Sequence, residues 1–527
     1  MGRPPVYRGD GCEYLLMTRS LATQGDLWIS VGELGVFQRK DSPWQFVRIQ
    51  PGQYPLMKGS DGHERCLHPP AVAALVVPFY WLCNWISPDG GFWRCYTVFG
   101  LWAVLVGWYL LARFWERCAS PLRSAGERLA LRVLAAAVIL FSPIGIYSYW
   151  PHSEAGVFLL LGLYFYWLER NYPVPAAVAL GIAAAQNPVC ILWGVLLLAK
   201  VFAVWRQKEQ AAVGAGRLLR NLVALAVLPL PLLVVGIHSY RLYGVFSLLP
   251  RHGSGIASLI SVGRTLRFFI DPFFGLIWFY PWIFLGLFVA KRWRAFLVRL
   301  AVSVPIAALS AAVLNINSQM VGLRYLVFVY PAFLFLPFSF PRRWMGRAAL
   351  VVYAALCLAI TQPFVFQRAQ AENFLGALGN KAFWGLELTF RTLPALYNPE
   401  PECFAENVFH SESWKAGAMK TRVNRTCWFV YADKNALPPG KATLILTQRG
   451  GAHGGDMTRA KFGINRCLKL RDCKIEKHGE DYRLDFTVGP DDYLKLASWP
   501  DYLYLKFDHS DLKPFAIELP DGQITNL

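Results

Sequence analysis

Apolar positions dominate the chain from about residue 71 to 361, in runs that break at short polar clusters. A helix that crosses roughly 30 Å of hydrocarbon needs about 17–25 such residues. Ten runs approach that length, near 92–112, 131–148, 155–168, 174–186, 189–205, 221–238, 273–290, 300–314, 325–340 and 348–361. The pattern predicts about ten transmembrane helices. Gln186-Asn187-Pro188 breaks one long apolar stretch between the fourth and fifth, because proline disfavours helix at the residue before it. An earlier run, Ala71 to Trp85, contains Pro78 and follows Leu67-His68-Pro69-Pro70, and it reads as a helix lying along the membrane interface. After residue 362 the pattern changes. Thr443–Thr447, Tyr482–Phe486 and Tyr502–Lys506 alternate with the period of half-buried strands. The predicted organisation is a first loop with interfacial helices over 1–91, an all-α polytopic membrane domain over 92–361, and a small β-rich or α+β domain over 362–527.

Composition sharpens this picture. Of 527 residues, 55% are hydrophobic and only 17% charged, against about 25% charged in soluble domains. The 20 tryptophans suit a chain that meets a lipid–water boundary. A formal charge of +19 would suggest nucleic acid in a soluble protein, but here the basic residues lie in clusters between apolar runs. They therefore report orientation, and a nucleic-acid partner is not expected. Alternate loops hold eighteen lysines and arginines (Arg113 to Arg132, Arg170, Lys200 to Arg220, Lys291 to Arg299, Arg342 to Arg347), whereas the other set holds five: Arg241, Arg251, Arg264, Arg267 and Arg324. The richer set is cytoplasmic by the positive-inside rule. Residues 1–91, the turn from Tyr147 to Glu154, the loops 239–272 and 315–324, and the tail are then external. A first segment held outside calls for a preceding helix, which Met1-Gly-Arg-Pro-Pro does not provide. The expectation is a further helix encoded upstream; the alternative is that the next span drags the N-terminus across.

An external tail sits in an oxidising space, where its four cysteines, Cys403, Cys427, Cys467 and Cys473, permit two disulfides. The short interval between Cys467 and Cys473 suits a small closed loop, with Cys403 and Cys427 as the other pair, although three connectivities are open. No CxxC pair occurs among them, which argues against a metal site. The sequence names no particular cofactor and leaves dependence on a divalent metal open.

Candidate chemistry lies where polar residues meet the external ends of apolar runs. Asp10 and Glu13 are three apart and share a face if a helix starts at Asp10. His68 precedes Pro69-Pro70. Glu154 opens a helix after His152-Ser153, Arg324-Tyr325 opens a span, and Asp271-Pro272 precedes another. Singly, each has a plainer explanation: a capping carboxylate, a surface histidine, a snorkelling arginine. Together they place carboxylates and cationic or hydrogen-bonding groups at one face. Transfer from an anionic lipid-linked donor needs that set: a carboxylate takes a proton from the attacking hydroxyl, and an arginine holds the leaving phosphate.

The order of these motifs resembles a known family. The run from Gly9-Asp10 through Glu13-Tyr14 to Gly25-Asp26-Leu27, with Leu67-His68-Pro69-Pro70, Ser142-Pro143 … Glu154, Asp271-Pro272 … Tyr280-Pro281-Trp282 and Gly322-Leu323-Arg324-Tyr325, is similar to bacterial polytopic glycosyltransferases of the C-type fold. These form the clan of protein O-mannosyltransferases and the lipid A aminoarabinose transferase. The resemblance spans about residues 7–361. It implies inverting transfer of one sugar from a polyprenyl-phosphate donor to an envelope glycan, lipid or protein acceptor, at the external face of the bacterial inner membrane. It makes Asp10 the first-loop carboxylate, Glu154 the second-loop acid, and Arg324, Tyr325 and His68 the contacts to the donor phosphate. Glu13 stands either as the family's second carboxylate or as a solvated neighbour of Asp10. Two other classes compete. A flippase for lipid-linked sugars would be expected to show an inverted repeat or an ionisable residue at mid-span, and the sequence shows neither. A non-catalytic scaffold with a binding tail is the third.

Overall fold

The computed structural model describes residues 10–30, 56–66, 68–88, 94–118, 124–148, 152–208, 215–247, 260–271, 275–288, 293–312, 324–337, 344–366, 419–424, 427–448, 458–464, 471–493, 502–509 and 511–527. The chain forms two units. The first comprises Met1–Ile270, Gly275–Ala312 and Val321–Asn373; the second comprises Asp271–Phe274, Val313–Met320 and Phe374–Leu527.

The first unit is helical. Its elements are α1 (Asp10–Thr23), a hairpin of β1 (Leu56–Lys58) and β2 (Glu64–Cys66), α2 (Ala71–Ile86), α3 (Cys95–Cys118), α4 (Ala125–Leu140), α5 (Pro143–Tyr147), α6 (Glu154–Glu169), α7 (Pro173–Gln186), α8 (Gly194–Lys208), α9 (Ala215–Val227), α10 (Leu230–Tyr243), α11 (Val262–Ile270), α12 (Leu276–Phe279), α13 (Trp293–Ala311), α14 (Tyr330–Leu334) and α15 (Trp344–Phe366). Among the described residues four helical stretches are long and apolar enough to cross a membrane: Cys95–Cys118, Leu218–Tyr243, Trp293–Ala311 and Trp344–Thr361.

Several of the apolar runs are not single long helices: 131–148 is divided between α4 and α5, and 221–238 between α9 and α10. The run 273–290 is split into α12 and a 3-10 segment, Pro281–Phe288, and the run 325–340 into a 3-10 segment, Arg324–Phe328, followed by α14. In the latter two, proline is the cause. Pro281 and Pro331 lack the N–H that would continue an α ladder and restrain the residue before them. Pro188 acts likewise after α7, where Pro188–Trp193 winds as a 3-10 helix.

α6 is the centre of this unit. It is apolar on every side, and nearly every residue from Glu154 to Leu168 is buried, as expected of a helix enclosed by others. It packs on α3 and α7. Where α3 passes the turn after α5, Gly100 is required: a Cβ there would collide with the backbone of Ser148.

The second unit is built of antiparallel strands. One sheet has the order β3 (Met419–Asn424), β4 (Cys427–Asp433), β10 (Tyr502–Asp508), β6 (Arg459–Ile464), β7 (Arg471–Lys474). The other has β12 (Ile524–Asn526), β11 (Leu512–Glu518), β5 (Gly440–Gln448), β9 (Asp481–Val488), β8 (Glu476–His478). Alternate residues of both sheets, including Val430, Leu444, Leu484, Leu503, Leu505 and Phe507, share one core. The three segments expected as strands lie inside β5, β9 and β10. Cys403 and Cys467 lie outside the described residues, as does the side chain of Cys427, so both expected pairings do too. Cys473 stands on β7 opposite Ala460.

Candidate functional site

α1 delivers Glu13 to the interior of the first unit, where it is fully buried. One carboxylate oxygen accepts the His68 backbone N–H at 3.2 Å, and the other lies 3.0 Å from His68 Nδ1. Both oxygens are therefore engaged by the residue that opens the Pro69-Pro70 turn. This decides the open question on Glu13: it is not a solvated companion of Asp10. Asp10 is the first residue of α1, one turn earlier, and its side chain lies outside the described residues.

The second half of the cluster forms around the start of α6. His152 and Glu154 are both buried, and His152 Nδ1 contacts Glu154 Oε2. Arg324 comes from the first turn of its 3-10 segment. Its Nη1 lies 2.8 Å from His152 Nε2, and its Nε lies 3.9 Å from Glu154 Oε1. A guanidinium can only donate, so Nε2 accepts from Arg324. His152 Nδ1 lies against two groups, the Ser153 N–H at 3.0 Å and the Glu154 carboxylate. Arg324 further donates to the Tyr325 hydroxyl at 3.1 Å, its guanidinium 5.1 Å from the ring centre.

Tyr14 joins the halves. Its ring lies 5.7 Å from that of His68 and 5.1 Å, edge-on, from that of His152. Its hydroxyl accepts from Gln186 Nε2 at 3.1 Å, while Gln186 Oε1 takes the Val72 N–H at 2.8 Å. The side chain freed at the proline-stopped end of α7 thus caps the start of α2, which has no side-chain cap of its own. Behind Tyr14, Thr18 Oγ1 bonds the Ala73 carbonyl at 3.3 Å and the Tyr96 hydroxyl at 2.9 Å.

Four of the five polar clusters singled out from the sequence meet here through Glu13, His68, Glu154 and Arg324-Tyr325. Asp271, from the fifth, is buried just after α11 and falls in the second unit. Sequence reasoning gave no role to His152, Tyr14 or Gln186, whose functions arise only from pairing across space. It also passed over two hydroxyls. Tyr147 and Tyr280 are buried beside Glu154, and among the described residues neither hydroxyl has a hydrogen-bond partner. Such groups cost about 1–3 kcal/mol each when left unmet.

On the His68 side the cluster borders an open cleft lined by Arg65, His68, Leu232, Val235, His238 and Phe246 among others. The hairpin closes one edge of it. Ser60 N–H bonds the Leu242 carbonyl at the end of α10, and Arg65 grips Asp61, holding that carboxyl well below the usual aspartate range. Among the described residues no group of three His, Cys, Asp or Glu side chains is placed to hold a metal ion. Compared with known proteins, the chain matches no family model, no curated protein and no solved structure.

Proposed function

We propose that the chain is an inverting membrane glycosyltransferase. It moves one sugar from a polyprenyl phosphate to a hydroxyl of an envelope glycan, lipid or protein, at the external face of the bacterial inner membrane. One observation carries this reading: two polar groups from segments scattered over some three hundred residues, Glu13 with His68 and Glu154 with His152 and Arg324, stand on either side of the Tyr14 ring. On this reading the four helices of spanning length, together with the shorter apolar runs of the sequence, make about ten crossings of the membrane.

The roles follow from which groups are already committed. Glu13 is closed on His68 and positions it. Asp10, one turn away at the mouth of α1, takes the acceptor proton. An ordinary aspartate, near pKa 3.9, is a weak base for an alcohol, so the proton moves late, after the sugar C1–oxygen bond to phosphate has begun to break. The acceptor oxygen bonds to C1 from the opposite side, and the carrier leaves as a phosphate monoester. Arg324, with the Tyr325, Tyr147 and Tyr280 hydroxyls, meets the charge that gathers on that phosphate. Glu154 and His152 hold the guanidinium in place until the donor arrives. The cleft beside His68, apolar along α10, accommodates the first isoprene units of the carrier.

Mass spectrometry of envelope glycolipids and glycoproteins, from cells with and without the gene, tests the reading. Asp10→Asn protein at normal abundance should lose the product, because removing a general base costs about 10²–10⁴-fold in rate. Wild-type levels of product from that variant would end the catalytic assignment. A flippase would instead leave the substitution silent and show the sugar-linked carrier accumulating on the wrong side when the gene is deleted.

A further inference from the structure

The end of α2 and the start of α3 carry two buried thiols, Cys83 and Cys95, neither of which is bonded to another cysteine. Their setting differs from that of an isolated core cysteine. Cys83 closes the buried stripe of α2, which runs Val72, Ala73, Val76, Val77, Tyr80, Cys83. Cys95 opens the buried stripe of α3, which continues Tyr96, Phe99, Gly100, Ala103. Only eleven residues separate them, and the two helices pack on one another.

Aromatic contacts fix the register of that packing. Phe79 on α2 lies 5.4 Å from Phe99 and 5.3 Å from Trp102 on α3, ring centre to ring centre. Cys83 is one turn beyond Phe79, and Cys95 is one turn before Phe99. Each step leads from that aromatic contact toward the segment that joins the two helices, so a buried thiol stands on each helix on the side of the contact nearer the connection. The thiols also lie within electrostatic reach of each other, and exposed Arg94 lies within reach of Cys83.

We infer that Cys83 and Cys95 form a disulfide in the cell, a staple between α2 and α3 behind the candidate site. The inference rests on the external orientation proposed above, which supplies an oxidising space. The oxidant is a disulfide-bearing thiol oxidase of the envelope. The thiolate of one cysteine attacks its disulfide, giving a mixed disulfide, and the second cysteine displaces the oxidase. A Cys83–Cys95 bond forms, the oxidase leaves as a dithiol, and the two thiol protons end on its sulfurs. The exchange happens during folding, before the pair is enclosed. The staple serves the site because α2 and α3 together grip α1: Thr18 reaches Ala73 on one and Tyr96 on the other, and Tyr96 also donates to the Tyr14 carbonyl at 3.0 Å.

Non-reducing peptide mapping of the full chain, denatured in a thiol-blocking maleimide straight from membranes, tests the staple. The expected result is a linked pair of peptides containing Cys83 and Cys95. Neither thiol should take maleimide until a reductant is added, and the link should vanish in Cys83→Ser and in Cys95→Ser. Maleimide on both thiols without reductant overturns the inference. Oxidised glutathione, added to the reduced purified protein, then shows which premise failed. A link formed there means that the thiols face each other but the compartment is reducing, which also removes the external orientation. No link means that the register is wrong, and the proposed transferase reading stands untouched.

Discussion

A buried tyrosine hydroxyl with nothing to bond is a cost that a folded chain does not keep without reason. Among the described residues, Tyr147 and Tyr280 keep two of them beside Glu154. Removing one should therefore divide stability from activity. Tyr147→Phe is expected to leave the thermal midpoint unchanged or raise it, because the desolvation penalty of the hydroxyl disappears. Its transfer rate should fall about 10–100-fold, the worth of a hydrogen bond to a charged group at about 1.5–3 kcal/mol. A thermal-shift series run beside a transfer assay separates the two effects. A loss of both together would make the hydroxyl merely structural. At this scale the sequence was legible in part. Carboxylates and an arginine stand out in an apolar chain, so Glu13, His68, Glu154 and Arg324 could be chosen by position. Tyrosine does not stand out in a chain with 23 of them, and the pairing of His152 with both Glu154 and Arg324 depends on a turn that periodicity does not describe.

Among the elements, the end of α7 carries more than its length suggests. Pro188 stops the helix, Asn187 turns extended, and Gln186 is left to bond α1 through Tyr14 and α2 through Val72. Gln186→Leu keeps the volume but strips the Val72 N–H of its acceptor. It should destabilise the first unit by about 1–3 kcal/mol and lower transfer by releasing the starts of α1 and α2 together. Thermal midpoint and product yield should fall in the same variant, whereas a drop in neither would deny the capping role. The proline break was visible in the sequence; what the break leaves exposed was not. The same limit explains the split runs 273–290 and 325–340. Hydropathy registers an apolar segment but does not tell an α turn from a 3-10 turn, and Pro281 and Pro331 decide the matter locally.

For the whole molecule, orientation is the property on which the chemistry depends. The excess of lysine and arginine in alternate loops predicts that those loops face the cytoplasm. A reporter active only outside the cytoplasm, fused after Leu527, should therefore be active, and one active only inside should be silent. The reverse pattern would put the candidate site on the side where carrier-linked donors are made. The strand pattern of the tail was readable because alternation marks a sheet with one wet face, and β5, β9 and β10 follow it. The pairing order of the two sheets was not readable, since β4 and β10 are neighbours although they lie some seventy residues apart.

α6 has a consequence for depth. Its 16 residues span about 24 Å, against roughly 30 Å of hydrocarbon. On the proposed orientation, with Glu169 at the cytoplasmic boundary, Glu154 lies several ångströms beneath the opposite surface. The bilayer above it must thin or part, and the ion cluster works at a lower dielectric than a surface site would. On the proposed function, a carrier phosphate at headgroup level would sink toward Arg324 only as it sheds water. The short helix would then make desolvation of the donor part of binding, and favour a donor already tethered to lipid over the same sugar phosphate free in solution.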